Sequence, residues 1–249
     1  MNETVHETIY KCIAIFVLNI KRMKKFALIV AGGSGTRMGT DIPKQFLELN
    51  GKPILMHTME RFAGYDPAIE ITLVLPNAQF DYWRELCRKH RFHLSHHLVG
   101  GGNSRFQSVK NGLDSLPSEG IVFIHDGVRP LVSEATIRNC EHTTLEKGNA
   151  LPVIPVIESI RQLTFESSQH ADRNQYRLVQ TPQTFTLELI KKAFRQEESP
   201  LFTDDASVCE AMGEHIHLVD GNPENIKITQ PSDLKIAALF LQSLTSPEN

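Results

Sequence analysis

Short apolar runs alternate with stretches of helical periodicity along most of this chain. Residues 26–30, 69–75 and 121–125 are almost continuously apolar, as buried strands are. Weaker strand candidates lie near Leu98, over 150–153 and over 217–219. Between them, apolar residues recur with helical spacing over 53–62, 80–90, 105–113 and 133–146, and later over 187–196, 204–212 and 232–244. Ser133 and Ser232 stand where N-caps belong, and Glu134 falls in a first turn, near the positive end of the helix dipole. This alternation predicts an α/β fold, a mostly parallel sheet covered by helices on both faces.

The interval 158–184 breaks the rhythm. Two strand-like pieces, 159–165 and 176–179, flank a polar turn over 167–174, which predicts a protruding β-hairpin arm over about 156–182. An isolated hairpin is marginal in water and needs a surface to lie on. That surface is either its own domain or a second subunit. No repeat or long linker divides the rest, so residues 25–246 are read as one domain. Ahead of it, an apolar stretch over 12–20 is flanked by Lys11 and by Lys21-Arg22. It is too short to span a bilayer and lacks a small-residue cleavage pattern. Residues 1–24 are therefore expected to be a poorly ordered extension, with Met23 as an alternative start.

Composition adds bounds rather than chemistry. A hydrophobic content of 41%, a charged content of 22% and a net charge of −3 fit an ordinary globular protein with no nucleic-acid or membrane partner. Cys12, Cys87, Cys140 and Cys209 are scattered without metal-ligand spacing and read as reduced thiols of a cytoplasmic protein. His96, His97, His215 and His217 complete no metal motif and read as packed or surface side chains.

The chemistry begins where the first strand ends. Ala31-Gly32-Gly33-Ser34-Gly35-Thr36-Arg37-Met38 follows it directly, and Pro43-Lys44-Gln45 comes shortly after. Glycines let main-chain amides close around an anion, and Arg37 and Lys44 supply cations matched to phosphate. The loop is not a P-loop, because Gly35 is followed by Thr36-Arg37 where a lysine and then Ser or Thr would be needed. Nor is it a dinucleotide fingerprint, because Met38 takes the place of the third glycine. Ligands of open α/β sheets sit beyond the carboxyl ends of the strands. His125-Asp126 ends another strand, so it opens onto the same edge as the glycine loop.

With Gly101-Gly102-Asn103-Ser104-Arg105-Phe106-Gln107-Ser108, His125-Asp126-Gly127-Val128-Arg129-Pro130, Thr203-Asp204-Asp205-Ala206-Ser207 and Asn225-Ile226-Lys227-Ile228, this signature resembles the nucleotidyltransferases, and within them the 2-C-methyl-D-erythritol 4-phosphate cytidylyltransferase family. The resemblance runs from about Lys25 to about Leu244. It implies a Rossmann-like nucleotidyltransferase domain that moves CMP from CTP onto a polyol phosphate, with Mg2+ as cofactor. Arg37, Lys44 and Lys227 would be catalytic. Ala31, Gly32, Gly33, Gly35, Gly102, Asn103, Ser108 and Gly127 would bind CTP. Asp126, Arg129, Ser159, Arg173, Thr181 and Thr203 would bind the second substrate, with Asp126 also facing the metal. The arm would clasp a second copy in a homodimer. Asn103 stands where the family usually has an acidic residue, and Ser159 where it has threonine. Arg105 reads equally well as a solvated helix charge. The alternatives are a ribitol 5-phosphate cytidylyltransferase, a sugar-1-phosphate nucleotidyltransferase and a catalytically silent nucleotide-binding regulator.

Overall fold

The computed structural model describes residues 23–32 and 42–245. The expectations for residues 1–22 and for Gly33, Gly35 and Arg37 lie outside the described residues. In chain order the structure runs β1 (Lys25–Val30), a small hairpin of β2 (Glu48–Leu49) and β3 (Lys52–Pro53), α1 (Ile54–Tyr65), β4 (Glu70–Leu75), α2 (Phe80–Lys89) and β5 (His97–Gly100). It continues through α3 (Arg105–Asp114), β6 (Ile121–Asp126), α4 (Glu134–Lys147), β7 (Asn149–Pro155) and a second hairpin of β8 (Ile160–Leu163) and β9 (Ser168–Ala171). Then come β10 (Arg177–Val179), β11 (Gln183–Thr186), α5 (Leu187–Ala193), α6 (Asp205–Glu210), β12 (Leu218–Asp220) and α7 (Pro231–Thr245).

The main sheet has the order β10-β7-β11-β6-β1-β4-β5, with β12 also paired to β7. β6, β1, β4 and β5 are mutually parallel, as their helical crossovers require. The other end is mixed. β11 runs antiparallel to β6 and β7, and β10 antiparallel to β7. Side chains of β1 alternate between two cores. Phe26 and Leu28 pack with Val109 and Leu113 of α3 and with Ile190 of α5. Ala27 and Ile29 pack with Leu55 and Met59 of α1, Trp83 of α2 and Ile137 of α4. Helices therefore cover both faces, which is why the strand runs lack polar alternation.

Two local expectations need correction. The hairpin pairs 160–163 with 168–171, closed by the Thr164 N–H bond to Ser167, whereas Arg177–Val179 leaves it and joins β7 in the main sheet. A tight polar turn closes a short hairpin sooner than the long loop the sequence suggested, and this frees the next strand to pair elsewhere. Ser232 is not a cap, because α7 begins at Pro231, whose fixed φ and missing N–H suit the first helical position. The carboxylate of Asp233 reaches back instead and accepts from the N–H groups of Thr229 and Gln230 at 2.8 and 3.0 Å. Ser133 does cap α4, accepting from the Thr136 N–H at 3.1 Å. No helix among the described residues is long and apolar enough to cross a membrane.

Candidate active site

The parallel strands end together. Val30 of β1 lies in register with Asp126 of β6. The Gly127 N–H bonds to the Val30 carbonyl at 2.9 Å, Ala31 to Val74 at 3.0 Å and Gly101 to Leu75 at 2.8 Å. Gly127 has no room for a side chain: a Cβ there would come within 2.8 Å of the Ala31 Cβ and 3.0 Å of Leu55 Cδ1. The two strand ends are thus packed backbone against side chain, which fixes the floor of the site.

Beyond these ends lies a cavity of about 250 Å3. Of the residues anticipated from sequence, Ala31, Gly32, Lys44, Gly102, Asn103, Ser108, Asp126 and Lys227 line it. Val30, Gln45, Ser104, Arg105 and Val128 complete the described wall. Asp126 is the only carboxylate among these described lining residues. Its Oδ2 is 3.0 Å from Lys227 Nζ and 3.2 Å from Arg129 Nε. Burial alone pushes this carboxyl up. The charges of Lys227, Arg105 and Arg129, with the Lys227 hydrogen bond, outweigh burial and hold Asp126 well below the usual carboxylate range. It is therefore an anion at neutral pH, paired with Lys227 in the cavity wall.

Lys44 is carried on a short 3-10 turn, Lys44–Phe46, after Pro43. Gln45 anchors this turn: its side-chain amide donates to the Ala31 carbonyl at 3.0 Å and to Gln79 Oε1 at 2.8 Å. Elsewhere in the lining, the Ser108 hydroxyl accepts the Gly102 N–H at 3.0 Å and donates to the Ser104 carbonyl at 2.8 Å. Ser108 therefore holds the Gly102 turn in shape, its one proton already committed. Ser104 caps α3 through the Gln107 N–H at 3.0 Å, which leaves the polar start of that helix at the cavity edge.

Other anticipated residues stand further out. Arg129 is tied to Asp126 and to the Asn225 carbonyl, the latter at 2.8 Å. Thr181 is buried, its hydroxyl accepting the Asp126 N–H at 3.1 Å. Ser159, Arg173 and Thr203 are exposed and do not line the cavity. Arg173 donates to the Ile157 carbonyl at the base of the β8–β9 hairpin.

Sequence reasoning missed two partners of this site. Arg105 is no solvated charge: it forms a two-pronged pair with Asp205, at 2.8 and 2.6 Å, joining α3 to α6. The pair holds Arg105 firmly cationic even though burial works against its charge. His125 is fully buried behind Asp126, and burial lowers its pKa to about 4, so the ring is neutral. The only signal for either was the motif that contains it.

A parallel-sheet edge with a glycine loop, one carboxylate and converging cations suits an anionic ligand such as a nucleotide. Known proteins agree. The family model for IspD, 2-C-methyl-D-erythritol 4-phosphate cytidylyltransferase, matches residues 26–243. The enzyme of that name from Bacteroides thetaiotaomicron is 52% identical over 88% of this chain and all of its own length. That from Porphyromonas gingivalis ATCC 33277 is 51% identical over 89% of this chain and all of its own length. Among solved structures, the 4-diphosphocytidyl-2C-methyl-D-erythritol synthase of Anaerococcus prevotii superposes with a TM-score of 0.77 at 26% identity, covering 90% of this chain and 98% of that one. The Thermus thermophilus cytidylyltransferase superposes with a TM-score of 0.71 at 29% identity, over 88% of this chain and all of that one. This chain belongs to the 2-C-methyl-D-erythritol 4-phosphate cytidylyltransferase family.

Proposed function

We infer that the cavity transfers CMP from CTP to 2-C-methyl-D-erythritol 4-phosphate, giving 4-diphosphocytidyl-2-C-methyl-D-erythritol and pyrophosphate. The observation that carries the reading is the 3.0 Å contact of Lys227 with Asp126 in the wall of a cavity that Lys44 also lines. A phosphate monoester oxygen attacks the α-phosphorus of CTP, and pyrophosphate leaves on the opposite side. No general base is needed, because a phosphate monoester with a second pKa near 6 is mostly dianionic at pH 7. The barrier is instead electrostatic: an anion must approach an anion while charge grows on the phosphoryl oxygens. Lys44 and Lys227 meet that charge in a walled site, and the sequence motif assigns Arg37 the same role. Gly102, Asn103 and Ser108 hold the nucleoside end, with Ala31, Gly32 and Gly127 shaping the floor. Asp126 orients Lys227 and grips hydroxyls of the polyol.

Magnesium fits as an ion carried largely by phosphate. No group of three or more acidic, His or Cys side chains able to hold a metal occurs among the described residues. Asp126 is a hard oxygen donor of the kind magnesium takes singly alongside phosphate oxygens and water. When bound, the ion neutralises phosphate charge and eases departure of the leaving group. The hairpin supports a homodimer reading. Leu163 and Phe165 near its tip are 83% and 102% exposed, and Ser159 and Arg173 at its base are within the arm that would reach a partner's cavity.

Pyrophosphate release from CTP and magnesium should be fast with 2-C-methyl-D-erythritol 4-phosphate and slow with ribitol 5-phosphate. Faster turnover of ribitol 5-phosphate would reassign the substrate, and no release with either would remove the activity.

A further inference from the structure

Behind the cavity, His125 closes a ring of hydrogen bonds that the chemistry above leaves unused. Its Nε2 lies 3.0 Å from the Arg129 carbonyl, which can only accept, so Nε2 carries the proton. Nδ1 of the neutral ring is then bare, and the Thr181 hydroxyl donates to it at 3.0 Å. The same hydroxyl oxygen accepts the Asp126 N–H at 3.1 Å. From Arg129 the ring continues, as Nη1 donates to the Asn225 carbonyl at 2.8 Å and the Asn225 side-chain amide donates to the Thr181 carbonyl at 2.8 Å. Asn225 stands two residues before Lys227, and Arg129 also grips the Asp126 carboxylate. The segments that carry Asp126 and Lys227 are therefore both tied, through Arg129, Thr181 and Asn225, to a single imidazole. Phe62, edge-on to that ring at 5.0 Å between centroids, fixes its plane.

We propose that His125 is a positioning residue: its protonated Nε2 and bare Nδ1 lock the turn after β6 and the 225–227 segment together, so that Asp126 and Lys227 present one fixed geometry to the phosphates. It touches no substrate, since it is fully buried. The proposal rests on the reaction assigned above. Two features set this ring apart from ordinary core packing. Every donor and acceptor that His125 offers is spent on main-chain or side-chain groups flanking the site. And every link but the one to the Arg129 carbonyl joins segments distant in sequence: the β6 end and the turn after it, residues 180–182 and residues 225–227. An apolar ring in its place would fill the same space yet leave the Arg129 carbonyl without a donor and the Thr181 hydroxyl proton without an acceptor.

The test compares His125→Phe, His125→Gln and His125→Asn with the wild-type protein. Phe keeps the packing against Phe62 and removes both bonds. Gln restores a donor near the Nε2 position, and Asn an acceptor near Nδ1. A misplacement of about 1 Å costs roughly 10²-fold in rate. Turnover of His125→Phe should fall by about that factor while its CTP affinity stays within about 3-fold, with Gln and Asn each recovering part of the loss. Nitrogen NMR of the wild-type protein should show His125 protonated on Nε2 and bare on Nδ1, a readout that stands even if the Phe variant fails to fold. A folded His125→Phe protein turning over at the wild-type rate, or a ring bare at Nε2, would overturn the proposal. A wild-type protein that turns over neither polyol phosphate would instead sink the assigned reaction and leave the NMR result standing.

Discussion

Replacing Arg105 with methionine isolates the energetics of the wall between α3 and α6. Asp205 is 0% exposed, and both its oxygens are held by the Arg105 guanidinium. Burial raises the Asp205 carboxyl and Arg105 pulls it back down. Methionine keeps much of the stem but offers no donor, so the folded variant must bury a bare carboxylate or protonate it. Protonation sets the ceiling. Neutralising a carboxyl of unperturbed pKa near 3.9 at pH 7 costs about 4 kcal/mol. That agrees with the ~3–5 kcal/mol lost when one partner of a buried pair is removed. At pH 5 the same ceiling is only about 1.5 kcal/mol. The direction follows from linkage: losing Arg105 raises the folded-state pKa of Asp205 further above its unfolded value. The variant is then penalised increasingly as pH rises above about 4, and the gap to wild type closes on acidification. Asp205→Asn should cost less than Arg105→Met, because the Arg105 side chain is 32% exposed and can turn toward water. Urea unfolding followed by Trp83 fluorescence at pH 7 and pH 5 measures all three proteins. A loss below about 1 kcal/mol for Arg105→Met at pH 7, or an equal loss at both pH values, would refute this account of the pair.

Other consequences are as direct. Lys44→Ala should lose roughly 10²–10³ in kcat with only a modest change in CTP affinity, measured by pyrophosphate release and calorimetry; near-normal turnover would remove Lys44 from the catalytic role. Gly127→Ala should destabilise the fold by about 1–3 kcal/mol and weaken CTP binding, since the new methyl would press on Ala31, 2.8 Å away. Chelation of divalent cations should abolish turnover, and magnesium should restore it; full activity in excess chelator would exclude the ion. Cys140 and Cys209, whose thiols burial pushes up to about 12, should resist alkylation of the native protein at pH 7 and react on unfolding, as mass spectrometry would show.

Much of this architecture is legible in the chain because the local signals agree with the global fold. The apolar runs of β1, β4 and β6 and the helices between them carry one message, and the register of Val30 with Asp126 places the residues after β1 and the Asp126 motif on one edge. What sequence could not supply is partnership at long range. Arg105 and Asp205 are 100 residues apart, and nothing local to α3 tells a paired arginine from a solvated one. His125 and Thr181, 56 residues apart, are likewise joined only by folding. The short pieces between β7 and α5 were misread because each is too brief for periodicity to assign its neighbour. Hairpin closure at Thr164 and Ser167, and the availability of β7, decide where Arg177–Val179 pairs. At α7, proline geometry overrode the serine beside it.

On this reading the triphosphate of CTP lies at the carboxyl ends of β1 and β6, in the cavity that Lys44, Gly102 and Lys227 line. A crystal structure of the protein with CTP and magnesium tests it directly. Phosphate density is expected within reach of Lys44 and Lys227, with the base against Gly102 and Asn103; nucleotide density anywhere else on the molecule would contradict that placement.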